Sequence, residues 1–375
     1  MKQRIGLVSY PFSYNYGTCL QAFALAYFLK GKGYDVEYID YSARKSYRSI
    51  AMLKYIAKHP ILFLSEIFHK NAKDNLDYSF VGSSWYKSTI TKSRKFYENN
   101  VPISNIKYDY DSIRSVNLPY DKFIVGSDQT WSKHVNPLLS CFFLNFVPKG
   151  KKKIAYAPSM GGCIPTGLYK KIISYYLKSF DSLSCRDKNC AEYLSGMLKT
   201  NVECVLDPTL LINGDEWKHL SDKSKKIDGE YILVYILGER QAIVDYAEEL
   251  GKKKNLPIYY IVTRDKYLKM QNHLLEVDPL DFVSLISNAK FVITDSYHAM
   301  LFSVNIGINF FIFNKRDNGG DNGRLLDFLE KFNLLDNYIN SSLYQEIQPI
   351  DFYKVESSLM NERQKSIDYL LTSLR

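Results

Sequence analysis

The residues Thr294-Asp295-Ser296-Tyr297-His298-Ala299 are the strongest candidate for chemistry in this chain. They follow a short apolar run, Phe291-Val292-Ile293-Thr294, that reads as a buried strand, and they lead into a helix from His298 to Val304. Asp295 or Ser296 can cap that helix, which places His298 in its first turn. Histidine is the side chain that gains and loses a proton near neutral pH, so a histidine held there is suited to general acid or base work. Ligands of open α/β sheets bind at the carboxyl ends of strands, where helix N-termini point at them. That rule ranks His298 above His59, His69, His134, His219 and His273, none of which has such a junction.

Other strand ends carry further candidates. After the first strand comes Asn15-Tyr16-Gly17-Thr18, where Gly17 permits close backbone approach and Thr18 can cap the next helix. This turn holds an anion or a sugar hydroxyl on its backbone N–H groups, or it is a plain capped turn. It carries neither GxGxxG nor GxxxxGK[ST], so a nucleotide fingerprint is absent. Val125-Gly126-Ser127-Asp128-Gln129-Thr130-Trp131 offers Asp128 to orient a hydroxyl and Trp131 to stack on a sugar ring, unless Trp131 is a buried anchor. Tyr156-Ala157-Pro158-Ser159-Met160-Gly161-Gly162 is a weaker signal of the same kind. Arg186, after Leu183-Ser184-Cys185, either clamps a phosphate or carboxylate or pairs with a neighbouring acid. Lys315 to Arg324 reads as a Gly-rich loop with two arginines, Arg316 and Arg324. It is either a lid or ordinary surface.

The elements that must position these residues alternate. Arg4 to Tyr10 reads as a strand, Leu20 to Leu29 as a helix stopped at Gly31-Lys32-Gly33, and Tyr34 to Asp40 as a second strand. Short apolar strands follow at Asp121–Gly126, Lys153–Ala157, Ser182–Cys185 and Val202–Leu206. A polar stretch from Asp207-Pro208 to Asp228-Gly229 reads as a boundary. Beyond it lie strands at Tyr231–Leu237, Pro257–Val262, Phe291–Thr294 and Phe310–Phe313. Helices end at Gly251 or cover Asp281–Ser287, His298–Val304 and Arg324–Phe332. The expected architecture is α/β, with two Rossmann-like domains facing a cleft. The first spans 1–210, with a helical insertion at about 44–100. The second spans 211–345, and a C-terminal helical segment, 346–375, packs back on the first.

Composition narrows the function classes. The chain is 375 residues long and 24% charged, which fits two ordinary globular domains. Its 31 tyrosines suit a sugar-reading surface or reflect coding bias. Six cysteines lack metal-ligand spacing, no segment reads as a signal peptide, and no run of 18 apolar residues occurs, so a cytoplasmic protein without structural zinc is expected. Of the net charge of +9, residues 42–100 supply +7, from eleven Lys/Arg against four acids. That pattern argues against a nucleic-acid-binding face and for one local basic element.

Taken together, Tyr14-Asn15-Tyr16-Gly17 with Leu20-Gln21, Gly126 to Trp131, Ala155 to Ser159, Arg186, Val205-Leu206-Asp207-Pro208-Thr209 and Asp295 to Ala299 resemble the polysaccharide pyruvyl transferase family. The resemblance spans roughly residues 5 to 330. It implies a glycosyltransferase-B-like fold and transfer of a pyruvyl group from phosphoenolpyruvate, with no other cofactor, to a sugar of a cell-surface polysaccharide or lipid-linked precursor. His298 then supplies the acid. Arg186, Ser296, Tyr297, Arg324 and Arg316 fall on the donor side, and Asn15, Tyr16, Gly17, Asp128, Gln129 and Trp131 on the acceptor side. Lipid-linked acceptors give the basic segment a use, peripheral contact with an anionic membrane at its inner face. One departure stands out. Better-known branches carry Arg where this chain has Ser296, so the donor cation must come from Arg324 or Arg316, or the donor differs. A nucleotide-sugar-dependent glycosyltransferase and a non-catalytic sugar-binding descendant are the alternatives.

Overall fold

A computed structural model describes residues 2–10, 13–42, 82–132, 135, 140–162, 164–238, 240–314, 323–339 and 349–375. The first sheet is parallel, built from β1 (Arg4–Val8), β2 (Asp35–Tyr41), β3 (Ile103–Tyr108), β4 (Lys122–Val125) and β5 (Lys152–Ala155), in the order β3-β2-β1-β4-β5. A bridge between Ile154 and Ser182 attaches a two-stranded parallel extension, β6 (Ser184–Cys185) and β7 (Glu203–Cys204). The second sheet contains β8 (Ile232–Tyr235), β9 (Ile258–Ile261), β10 (His273–Leu274), β11 (Phe291–Thr294), β12 (Asn309–Phe313) and β13 (Tyr338–Ile339). It too is parallel, in the order β10-β9-β8-β11-β12-β13. These are two Rossmann-like halves.

Central strands are buried on both faces, so their sequences are continuous apolar runs rather than alternating ones. β4 and β8 are buried at every position. Helices close the faces. Tyr16–Gly31 is capped by Asn15, whose side chain accepts from the Gly17 amide, and is buried around most of its circumference. Such a helix belongs between layers rather than at a surface. It stacks Tyr16 on Phe282 of the second half (5.1 Å) and brings Phe23 against Trp217 (5.8 Å). Trp217 in turn meets Phe302 and donates its indole N–H to the Thr209 carbonyl at 2.8 Å. Deleting an indole from such a position costs ~3–5 kcal/mol, so the seam between the halves is a true core.

The C-terminal helix Phe352–Ser373 straps the seam from outside. Leu206 N–H donates to Ser366 Oγ at 2.9 Å and Tyr369 Oη–H to the Ala155 carbonyl at 2.9 Å, while Arg363 reaches the Leu210 carbonyl and Asn305. Two readings of the sequence change here. The Gln241 helix runs past Gly251 to Lys254, because Gly251 is where Ile258 packs and a Cβ there would crowd it at 2.8 Å. The stretch opening at Asp207-Pro208 is not a polar linker. Asp207 to Ile212 is buried, in a 3-10 turn (Pro208–Leu210) that Asp207 caps. Of the basic insertion, 43–81 lies outside the described residues, and Ser84–Asn100 is a helix packing Phe96 on Phe23.

Candidate active site

Five strand ends converge on one place. β1 leads to the Asn15–Thr18 turn, β4 to Ser127 and Asp128, β6 to Arg186, β7 to Asp207, and β11 to Tyr297 and His298. Because every strand is parallel, each delivers its carboxyl end and the following helix N-terminus to the same rim.

The imidazole of His298 lies in the first turn of the Tyr297–Ile306 helix, and its side chain is 5% exposed. A Cβ on Gly17 would overlap Cγ, Nδ1 and Cβ of His298, so the bare Gly17 backbone forms one wall of the ring's slot. At the far end Nε2 lies 3.6 Å from Asp207 Oδ2, beyond hydrogen-bonding distance, and has no hydrogen-bond partner. Asp207 is fixed by its other contacts. Oδ1 accepts from the Thr209 amide (3.0 Å) and hydroxyl (2.8 Å), and Oδ2 from Ser127 Oγ (3.0 Å) and Arg186 Nη1 (2.7 Å).

Asp128 adds a second carboxylate from a left-handed backbone conformation, φ 71°. That region is tolerated by Asp better than by most residues. Its Oδ2 accepts from Thr18 Oγ1 at 2.8 Å and its Oδ1 faces Arg186 Nη2 at 3.4 Å. Burial alone would raise the Asp207 carboxyl. The adjacent His298, the Arg186 guanidinium and the Thr209 amide outweigh it and hold the group well below the usual carboxylate range. Asp128 is likewise held low against burial by Arg186, His298 and Thr18. The same carboxylates hold the Arg186 guanidinium above its ordinary value despite burial.

Beside this cluster a cavity of about 850 Å³ opens between the helices Lys188–Leu198 and Gly323–Lys331. Arg186, Asp207, Tyr297, Arg324, Lys188 and Phe328 are among its walls. Two guanidinium carbons lie over the Tyr297 ring, Arg186 at 5.1 Å and Arg324 at 5.3 Å from its centroid. Burial pushes its phenol up, and the two cations offset only part of this. A slot holding an imidazole, two ionised carboxylates and a partly exposed guanidinium can donate a proton and bind an anion.

A sequence profile of the polysaccharide pyruvyl transferase family matches residues 15–316. The chain belongs to that family. No curated protein matches it. Among solved structures, a putative UDP-N-acetylglucosamine 2-epimerase from Listeria monocytogenes aligns with TM-score 0.50 at 11% identity, covering 99% of this chain and 88% of that one. The UDP-GlcNAc 2-epimerase from Methanocaldococcus jannaschii aligns with TM-score 0.49 at 14% identity, covering 96% and 92%. At such identities the likeness is one of fold.

In this pyruvyl transferase family member the anticipated residues separate. His298, Gly17, Asp128, Arg186, Tyr297 and Arg324 come together. Asn15 sits beside them as the helix cap, and Gln129 lies against Gly161. Four expectations need correction. Trp131 has no face free for a sugar, since its ring is fully enclosed, parallel to Phe143, and its Nε1–H is given to the Phe142 carbonyl. Tyr16 faces the interdomain core rather than the cavity. Ser296 is buried and its hydroxyl oxygen caps the Tyr297 helix by accepting from the Ala299 amide, so it sits in the helix start and supplies no cation in place of the expected Arg. Arg186 is no open clamp, because its side chain is enclosed and paired to Asp207 and Asp128, with Asp187 at 3.9 Å. Arg316 lies outside the described residues.

Sequence reasoning gave no site role to Asp207, Ser127, Thr209 or Thr18. The available signal was Asp-Pro-Thr directly after a short strand, the pattern of a capped turn at a ligand-facing edge. Asp295 turns out to be structural. Its two oxygens accept the Leu237 and Gly238 amides at 2.7 Å each, tying the loop after β8 to β11.

Proposed function

We propose that the protein transfers a pyruvyl group from phosphoenolpyruvate to a sugar with two suitably placed hydroxyls, in a cell-surface polysaccharide or its lipid-linked precursor, giving a cyclic pyruvate ketal. The observation that carries this reading is His298, whose Nε2 has no hydrogen-bond partner although the ring is buried, directly behind Asp207, which lines the cavity together with Tyr297 and Arg324. In the reaction His298 gives a proton to the methylene carbon of the enol. The neighbouring carbon becomes electron-poor and one sugar hydroxyl adds to it, losing its proton. The bond from that carbon to the phosphate oxygen breaks and inorganic phosphate leaves. The second hydroxyl closes the ketal; of the two hydroxyl protons released, one restores His298 and the other leaves on the phosphate. One C–O bond and the C=C π bond are thus exchanged for two C–O bonds and a C–H bond, and no electrons are gained or lost.

Arg324 is the donor's cation in this scheme, because among the described residues it makes no ion pair and its guanidinium lies over the Tyr297 ring at 5.3 Å. Arg186 acts from behind, through the carboxylates it orients. Asp128 and Thr18 face the acceptor hydroxyls. No cofactor is needed beyond phosphoenolpyruvate as co-substrate. The basic segment around 44–100 would hold the enzyme against an anionic membrane where lipid-linked acceptors reside, and flotation with anionic vesicles tests this. Failure to float, with the +7 segment intact, removes it.

The deciding experiment is mass spectrometry of candidate acceptors incubated with phosphoenolpyruvate. A gain of one pyruvyl unit with stoichiometric phosphate, lost in His298→Ala, is expected. Conversion of nucleotide-sugars instead, with none from phosphoenolpyruvate, overturns the reading.

A further inference from the structure

We infer that Asp207 is the positioning residue for His298, aiming its ring and keeping the transferable proton at Nε2. The inference rests on the acid role proposed above for His298. Its ground is that Asp207 is the carboxylate facing an otherwise unpartnered Nε2, at 3.6 Å, and that it cannot turn away. Four hydrogen bonds, from Thr209 N, Thr209 Oγ1, Ser127 Oγ and Arg186 Nη1, fix both of its oxygens. The slot does the rest. Gly17 closes one side of the imidazole, and Tyr297 meets it edge-on at 5.7 Å between ring centroids.

The charged groups coupled to Asp207, Arg186 and Tyr297 beside His298 come from several elements. Asp207 comes from the Pro208–Leu210 turn, Asp128 from the loop after β4, Arg186 and Asp187 from the end of β6, Arg324 from the Gly323–Lys331 helix, and Tyr297 from His298's own helix. When the proton passes from Nε2 to the enol carbon, the imidazole is left neutral. Asp207 stays ionised, because Arg186 remains bound to it. The carboxylate therefore orients and stabilises the acid without itself receiving the proton. A merely structural pairing of Asp207 with Arg186 would support the fold and leave the protonation of His298 alone.

The test compares wild type, Asp207→Asn, Asp207→Glu and Thr209→Val, all as full-length protein. For Asp207→Asn, kcat should fall about 10²-fold with KM for phosphoenolpyruvate little changed, the size and pattern of a weakened general acid. The high-pH limb of the kcat profile should move to lower pH, and Asp207→Glu should recover part of both effects. A limb that stays where wild type has it overturns the inference, whatever happens to Tm. The second readout needs no substrate: imidazole 15N shifts of His298, assigned with His298→Gln, at one fixed pH. Shifts that differ between wild type and Asp207→Asn support the role, and identical shifts overturn it. If Asp207→Asn does not fold, Thr209→Val keeps the carboxylate and removes one of its four hydrogen bonds, leaving Oδ1 with only the residue-209 amide. A smaller limb movement of the same sign then supports the role, and none overturns it. If wild type makes no product from phosphoenolpyruvate, the reaction assignment fails while the NMR comparison still decides on Asp207.

Discussion

The Tyr16–Gly31 and Tyr297–Ile306 helices begin almost alike. Each follows a central strand, each is capped by a small polar side chain (Asn15, Ser296), and each opens with tyrosine. At the next position one has Gly17 and the other His298. The two turns meet, and the side chain missing from one is the space used by the other. The tyrosines diverge as well. Tyr16 lies among Phe282 and Tyr235, while two guanidiniums lie over Tyr297. Equivalent positions thus serve packing on one side and the candidate site on the other, and a single glycine lets them touch.

The largest expected effect comes from filling that space. In Gly17→Ala the new methyl must displace the His298 ring, so transfer activity should fall by about 10²–10⁴-fold, as for loss of a general acid. Ala gains ~1 kcal/mol of helix propensity over Gly, but the overlap reaches His298 Cβ as well as the ring, so overpacking should lower stability by ~1–3 kcal/mol. Combining Gly17→Ala with His298→Ala should cost no more than either change alone, the non-additivity expected of residues acting as a unit. Activity near wild type in Gly17→Ala would break the comparison.

Next in size is Arg324→Ala. A charge-assisted contact is worth ~1.5–3 kcal/mol, so KM for phosphoenolpyruvate should rise about 10- to 100-fold with the fold intact. An unchanged KM shifts the donor cation elsewhere.

Acid should loosen the join between the two turns. Asp128 holds Thr18 of the first, and Asp207 faces His298 of the second; both carboxyls are held below their ordinary value. A depressed folded value stabilises the protein above the unfolded-state pKa of about 3.9 and loses that contribution as pH falls through the folded value. Denaturant midpoints should therefore decline below about pH 4, and the decline should be shallower in Asp128→Asn or Asp207→Asn. Parallel curves for wild type and both variants would show that these carboxylates do not link folding to pH.

Much of the scaffold was legible because buried parallel strands are written as unbroken apolar runs. Phe291–Thr294 was delimited to the residue. β3 was missed since its middle, Asn105-Ile106-Lys107, is exposed and breaks the apolar run, and β10 and β13 since two residues carry no period. The site was half legible. His298 announced itself through a strand-helix junction, a local feature. Asp207 did not, because the partner that makes its burial tolerable, Arg186, is 21 residues away in sequence, and an acid beside proline resembles a linker until that partner is placed. Trp131 failed the other way, since an aromatic after a strand looks the same whether it stacks on a ligand or on Phe143.

The smallest effect sharpens the comparison most, because it asks whether the two tyrosines differ in kind. The Tyr297 ring touches Arg324 through its face, an interaction of ~0.5–2 kcal/mol depending on exposure. Tyr297→Leu should release Arg324 and raise KM for phosphoenolpyruvate by up to about tenfold. Tyr16→Leu should leave KM alone and lower stability by ~1–3 kcal/mol, since its ring fills a core against Phe282 and Tyr235 and the stacking is lost. Paired KM and urea-midpoint measurements separate the outcomes. If both variants lose stability equally and neither changes KM, Tyr297 is a core residue like Tyr16. The guanidinium of Arg324 would then be placed by something other than the ring it covers.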